Sequence, residues 1–156
     1  MKSYDTSDIR NVAVVGHGDA GKTCLASAML FASGAVNRLG RIEDGTAVTD
    51  FDDEEINRKI SLQAALAHLE WRKKKVNLVD TPGYAAFIAE AKGGLAVADS
   101  ALLLVEGVAG IQVMTTKVWE FAASYDLPLL FVISKLDREN ASFDRCLEQI
   151  QDRFGR

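Results

Sequence analysis

The chain has 156 residues, of which 48% are hydrophobic and 26% charged, and its net charge is −4. That length and balance fit one domain with a single core. The mild acidity excludes wrapping of nucleic acid by bulk charge, although not docking on an RNA-containing particle through a small patch. The start, MKSYDTSDIR, lacks the apolar segment of a secretory signal. The longest apolar stretches, ALLLV and LPLLFVI, are far short of a membrane span. Cys24 and Cys146 lack metal-ligand spacing and read as reduced thiols of a cytoplasmic protein.

In chain order, IRNVAVVG (9–16) reads as a strand buried on both faces. The Ala/Leu/Met-rich run GKTCLASAMLFASG (21–34) reads as a helix stopped by Gly34. Residues 35–59 are polar, carry both charge signs and follow neither period. A loop this long inside a domain is functional or disordered. ISLQAALAHLEW (60–71) and VNLVD (76–80), joined by the basic turn RKKK, predict a hairpin. YAAFIAEAKGGLAVA (84–98) predicts a helix weakened by Gly93-Gly94. SALLLVE (100–106) and LPLLFVIS (127–134) read as further buried strands. Between them, QVMTTKVWEFAASYD sets Val113, Val118, Phe121 and Ala122 on one helical face. SFDRCLEQIQDRFG does the same for Phe143, Leu147, Ile150 and Phe154. The alternation predicts an α/β three-layer sandwich with a mostly parallel sheet, one antiparallel strand, and helices on both faces.

GHGDAGKT, Gly16 to Thr23, matches G-x-x-x-x-G-K-[ST] between a strand and a helix. Its glycines let backbone N–H groups turn inward around an anion, and the helix N-terminus adds partial positive charge. Lys22 is expected at the β- and γ-phosphates and the Thr23 hydroxyl at Mg²⁺. Asp80 ends its strand where a second magnesium carboxylate belongs, and Gly83 offers an unshielded N–H to a γ-phosphate. In VISKLD, Asp137 can accept both the N1–H and the exocyclic amine of guanine, and the stem of Lys135 can lie over the purine.

The ordered set GHGDAGKT, DFDDEEINRKIS, DTPGY and SKLD resembles the GTP-binding domain of translational GTPases, closest to elongation factor G and its paralogues. The resemblance runs from about Ile9 to Gly155. It implies a P-loop GTPase that binds GTP or GDP with Mg²⁺ and acts on the ribosome, without a membrane or a sequence-specific nucleic acid as partner. The nucleotide contacts it implies are Gly16, His17, Gly18, Asp19, Ala20, Gly21, Lys22, Thr23, Cys24, Asp80, Gly83, Ser134, Lys135 and Asp137. The metal would be held by Thr23, Ser61 and Asp80, with Lys22 and Tyr84 at the catalytic centre.

The sequence also departs from that pattern. Ser134 stands for the asparagine that opens the base-reading motif, Ser61 for a metal-binding threonine, and Lys59 for a glycine. Gly18 replaces an apolar residue beside the γ-phosphate, and Tyr84 replaces the histidine that positions the attacking water. Tyr84 either keeps that task or packs outward on the next helix. The Ser-Ala motif expected after the base-reading strand has no counterpart in the 19 residues beyond Asp137. The resemblance therefore implies that 1–156 is the N-terminal part of the domain, cut before its last strand, within a larger multidomain factor. Besides a GTP hydrolase, two other functions fit: a nucleotide-gated binding module with little turnover, and a P-loop ATPase of another family, which Lys135 and Asp137 disfavour.

Overall fold

The computed structural model describes residues 2–155. Its strands are β1 (Ile9–Gly16), β2 (Ala65–Trp71), β3 (Lys74–Asp80), β4 (Ser100–Glu106) and β5 (Leu129–Ser134). They form one sheet in the order β2-β3-β1-β4-β5, parallel except for the β2–β3 hairpin. The helices are α1 (Lys22–Ala32), α2 (Asp53–Arg58), α3 (Ile88–Ala96), α4 (Val113–Ser124) and α5 (Phe143–Phe154). No helix among the described residues is long and apolar enough to cross a membrane.

Strand alternation sorts the core into two layers. Ala13, Val15, Val79 and Leu103 face α3 and α4, where they meet Ala91, Leu95, Met114 and Val118. Their neighbour Leu78 faces the other way, onto Ala26 and Leu30 of α1. Val105 packs on Cys146 and Ile150 of α5. Both faces of the central strands are thus covered, which is why they read as near-continuous apolar runs. β5 lies at a sheet edge with Leu130 63% exposed.

Three expectations need correction. The apolar stripe of α4 begins at Met114, because Val113 sits at the first helical position and is 71% exposed. On α5 the inward row is Cys146, Ile150 and Phe154, while Phe143 and Leu147 face outward. Phe154 stacks on Trp119 at 4.8 Å and on Phe131 at 5.7 Å. Residues 35–59 are not structureless, since α2 lies among them. Asp52 caps it by accepting from the Glu54 N–H at 2.8 Å, and Glu55 reaches back to the Asp52 N–H at 3.3 Å. Helix α2 ends at Lys59, whose left-handed φ of 58° is the conformation a glycine would adopt freely.

Helix α3 runs through Gly93-Gly94 without a break, and the two glycines stand in different surroundings. A Cβ on Gly94 would lie 2.8 Å from the Thr81 methyl, whereas one on Gly93 would meet open space. Gly94 is therefore needed for close packing on β3, and Gly93 is not. Gly93→Ala should stabilise the protein by about 1 kcal/mol, the ordinary helix-propensity difference. Gly94→Ala should give none of that gain, and paired denaturant titrations would check the contrast.

Candidate functional site

Strands β1, β3, β4 and β5 all end on the same side of the sheet, and the loops that carry polar and glycine-rich motifs gather there by topology alone. A cleft of about 670 Å³ opens at those ends. Gly18, Asp19, Gly21, Lys22, Thr23 and Cys24 line one part of it, with Ser61, Gly83 and Tyr84. Ser134, Lys135 and Asp137 line another. Gly16, His17, Ala20 and Asp80 stand behind the wall. Gly16 passes so close to β4 that a Cβ would sit 2.7 Å from the Leu104 carbonyl.

The phosphate loop is held from several sides. Lys22 is buried and donates to the His17 carbonyl at 2.8 Å, across the loop. The Met114 N–H, near the start of α4, donates to His17 Nδ1 at 3.4 Å, and burial lowers the pKa of this imidazole. His17 is thus a neutral acceptor that ties the loop to α4. The Ser134 hydroxyl donates to the Ala20 carbonyl at 2.7 Å, so a serine does span the distance from the end of β5 to the loop. Gly83 comes within van der Waals range of the same loop. A Cβ there would fall 2.2 Å from Lys22 Nζ and 2.6 Å from the Gly18 nitrogen, which leaves room for no other residue.

Tyr84 turns toward the loop and not outward. Its hydroxyl donates to Asp19 Oδ2 at 2.9 Å, and a Cβ on Gly18 would lie 2.9–3.2 Å from its ring carbons. The glycine at 18 and the tyrosine at 84 are sterically matched. Burial and the Asp19 carboxylate raise the Tyr84 pKa. Lys135 takes a left-handed φ of 55° and its ammonium meets Glu106 at 3.1 Å, which draws its stem along the cleft.

The hydroxyls of Thr23 and Ser61 stand 3.2 Å apart. Behind them Asp80 is 1% exposed and accepts from Thr49 at 2.7 Å, and Asp50 accepts from Ser61 at 2.7 Å. Asp80 Oδ1 and Asp50 Oδ2 are buried and have no partner. Two hydroxyls and two carboxylates with unused oxygens suit a hard cation such as Mg²⁺ that keeps waters and shares phosphate ligands. Among the described residues no three His, Cys, Asp or Glu side chains form a metal cluster. Thr49 and Asp50 were not legible as site residues. Asp50 opens the stretch DFDDEEINRKIS and Thr49 precedes it, but nothing in the spacing marks them as partners of Ser61 and Asp80.

The residues 7–156 match the family described as the elongation factor Tu GTP-binding domain. The chain belongs to that family. Among curated family members it is 38% identical over 150 residues to "Ribosome-releasing factor 2, mitochondrial" of Candida dubliniensis, covering 96% of this chain and 19% of the relative. It is 39% identical over 150 residues to the protein of the same name from Debaryomyces hansenii, covering 96% of this chain and 17% of that one. A crystal structure of a Thermus thermophilus protein superposes with a TM-score of 0.91 at 39% identity, over 96% of this chain and 22% of that chain. The chain thus spans about a fifth of the length of these family members.

Electrostatics at the site oppose folding without ligand. Burial raises the Asp80 pKa from 3.8 to about 6, against the Thr49 hydrogen bond and the Lys22 charge. Burial lowers the Lys22 pKa from 10.5 to about 8. Between pH 4 and 6 the native state holds the Asp80 proton more tightly than the unfolded chain, so stability falls as pH rises through that window. Above pH 8 the unfolded chain holds the Lys22 proton more tightly, so stability rises with pH there. Asp80→Asn should therefore raise the stability of metal-free, nucleotide-free protein at pH 7.5 by about 3 kcal/mol, with little gain at pH 4. With Mg²⁺ and GDP the wild type should become the more stabilised of the two. Thermal unfolding at both pH values, with and without ligand, would check this.

Proposed function

We propose that this chain is the N-terminal part of the GTP-binding domain of an elongation factor G-like translation factor, which binds and hydrolyses GTP with Mg²⁺ and acts on the ribosome. One observation carries the reading: a single cleft is lined by Lys22 and Thr23 in one part and by Lys135 and Asp137 in another. Its volume is that of a site for one small ligand, and its two parts suit phosphates and a purine. The relatives' names, which refer to the ribosome, support the choice of partner. The proposed compartment is the cytoplasm, supported by two free cysteines; the same relatives are named mitochondrial.

In this reading Asp137 accepts from the guanine N1–H and exocyclic amine, and Ser134 and Lys135 hold its loop in place. Gly18, Asp19, Ala20, Gly21 and Gly83 present backbone N–H groups to the phosphates, with Gly16 and His17 shaping the turn and Cys24 continuing it into α1. Lys22 leaves the His17 carbonyl to meet the phosphates, which relieves its burial. Thr23, Ser61 and Asp80 would hold Mg²⁺, with Asp50 behind Ser61. When bound, the ion would neutralise charge on the transferred phosphoryl group.

Asp137→Asn should weaken GTP binding by about a hundredfold, since one charge-assisted hydrogen bond loses its acceptor to an amide donor and the other loses its charge. It should shift preference toward xanthine nucleotides, because an amide can donate where a carboxylate only accepts. Competition binding with GTP, XTP and ATP checks this, and equal competition by ATP and GTP for the wild type would overturn the reading.

Tyr84 is proposed to place the attacking water, which donates to its phenol oxygen, while Asp19 accepts the hydrogen bond of the Tyr84 hydroxyl and fixes its direction. It supplies no cation near neutral pH, so hydrolysis should be slow but measurable. In single-turnover assays of the full-length protein with ribosomes, Tyr84→Phe should be slower than wild type and Tyr84→His faster. The bond to Asp19 also favours a second reading, a nucleotide-gated binding module. That reading leads if the wild-type rate is near background, Phe matches wild type and His brings no gain.

A further inference from the structure

We infer that the tip of the β2–β3 hairpin is a docking surface for single-stranded RNA, separate from the nucleotide cleft. The register pairs Trp71 with Lys74, so the turn consists of Arg72 and Lys73 alone. Both are left-handed, at φ 48° and 66°. A two-residue turn of this kind strongly favours Asn-Gly, and long side chains are strained in it. Backbone strain of this sort persists where the side chains that cause it have a task.

The surroundings indicate the task. Residues 72–75 are four consecutive cations on a chain whose net charge is −4. Lys74 is engaged by Asp8, and Lys2 nearby by Glu70. Among the described residues Arg72, Lys73 and Lys75 have no carboxylate within ion-pair distance, and Arg72 and Lys73 are exposed. Beside them Trp71 is 54% exposed, a large apolar ring with no covering element. Cations flanking an open indole match a phosphate backbone with bases that stack on the ring. The site is remote from nucleotide chemistry, since the seven residues of β3 separate Lys74 from Asp80, about 20 Å. An unstructured acidic chain would use the cations without stacking on the ring, and bulk charge repels RNA from the rest of this chain, which confines contact to the tip.

The test compares full-length wild type with Arg72→Asn/Lys73→Gly and with Trp71→Leu. The probe is a fluorescein-labelled 20-nucleotide poly(U) RNA, read by anisotropy from 50 to 200 mM KCl. The double variant should bind about tenfold more weakly at the lowest salt, with a salt slope shallower by about 1.4, two phosphate contacts' worth. It should also unfold at an equal or higher temperature, because Asn-Gly suits the turn. Trp71→Leu should lose affinity while keeping the wild-type slope. Unaltered GDP affinity in each variant separates this surface from the cleft, whatever base the cleft reads. Equal RNA affinity and slope in wild type and the double variant would overturn the inference. So would weaker RNA binding accompanied by a lower unfolding temperature, or displacement of the RNA from wild type by polyglutamate at matched charge.

Discussion

The organising constraint is a carboxylate kept out of water. Asp80 ends β3 with 1% of its surface exposed, and one of its oxygens has no partner. Burial of a charge is costly unless it is paired. The surrounding structure reduces that cost without removing it. Thr49 donates to one oxygen, and Lys22 lies near enough to favour the charged form. Both ions remain displaced from their ordinary pKa values, in the directions that an anion and a cation bound in the cleft would reverse. A site that is electrostatically unsatisfied by itself is a site with stored affinity.

The same constraint explains why the segment before β2 follows a defined path. Thr49 fastens it to Asp80, Ser61 approaches Thr23, and Asp50 holds Ser61. Between these points Glu55 is buried and accepts from the backbone N–H groups of Leu62 and Gln63 at 2.8 and 3.3 Å. Short polar side chains thus link α2, the phosphate loop and β3 in one network. Loss of the Thr49 or Ser61 hydroxyl would leave a carboxylate oxygen of Asp80 or Asp50 without its partner.

Much of this was legible in sequence because the rules involved are local. The phosphate loop needs a strand, glycines and a helix in order, and GHGDAGKT supplies them between β1 and α1. Buried parallel strands announce themselves as apolar runs, and four strands fall on stretches read as strands; β3 begins two residues early, because Lys74 and Lys75, read as turn, pair with Trp71 and Glu70. The misses have non-local causes. Gly94 depends on Thr81 across a helix–strand contact, and Val113 is exposed because a helix's first residue has no neighbour above it. The Thr49–Asp80 bond joins residues 31 apart, which no spacing rule anticipates. Tyr84 pointed two ways until its ring and Gly18 could be seen as one steric pair.

Cys146 sits wholly buried on α5, with its thiol against the Glu106 and Gly107 carbonyls at 3.6 and 3.5 Å. Glu106 is also the residue that anchors Lys135. The thiol therefore lies behind the loop that follows β5, shielded by the helix that closes that end of the sheet. A reagent reaches it only when α5 lifts, while Cys24, in the cleft wall, is exposed as long as the cleft is empty. The chain carries its own chemical clock: the ratio of the two labelling rates counts how often that end of the domain breathes.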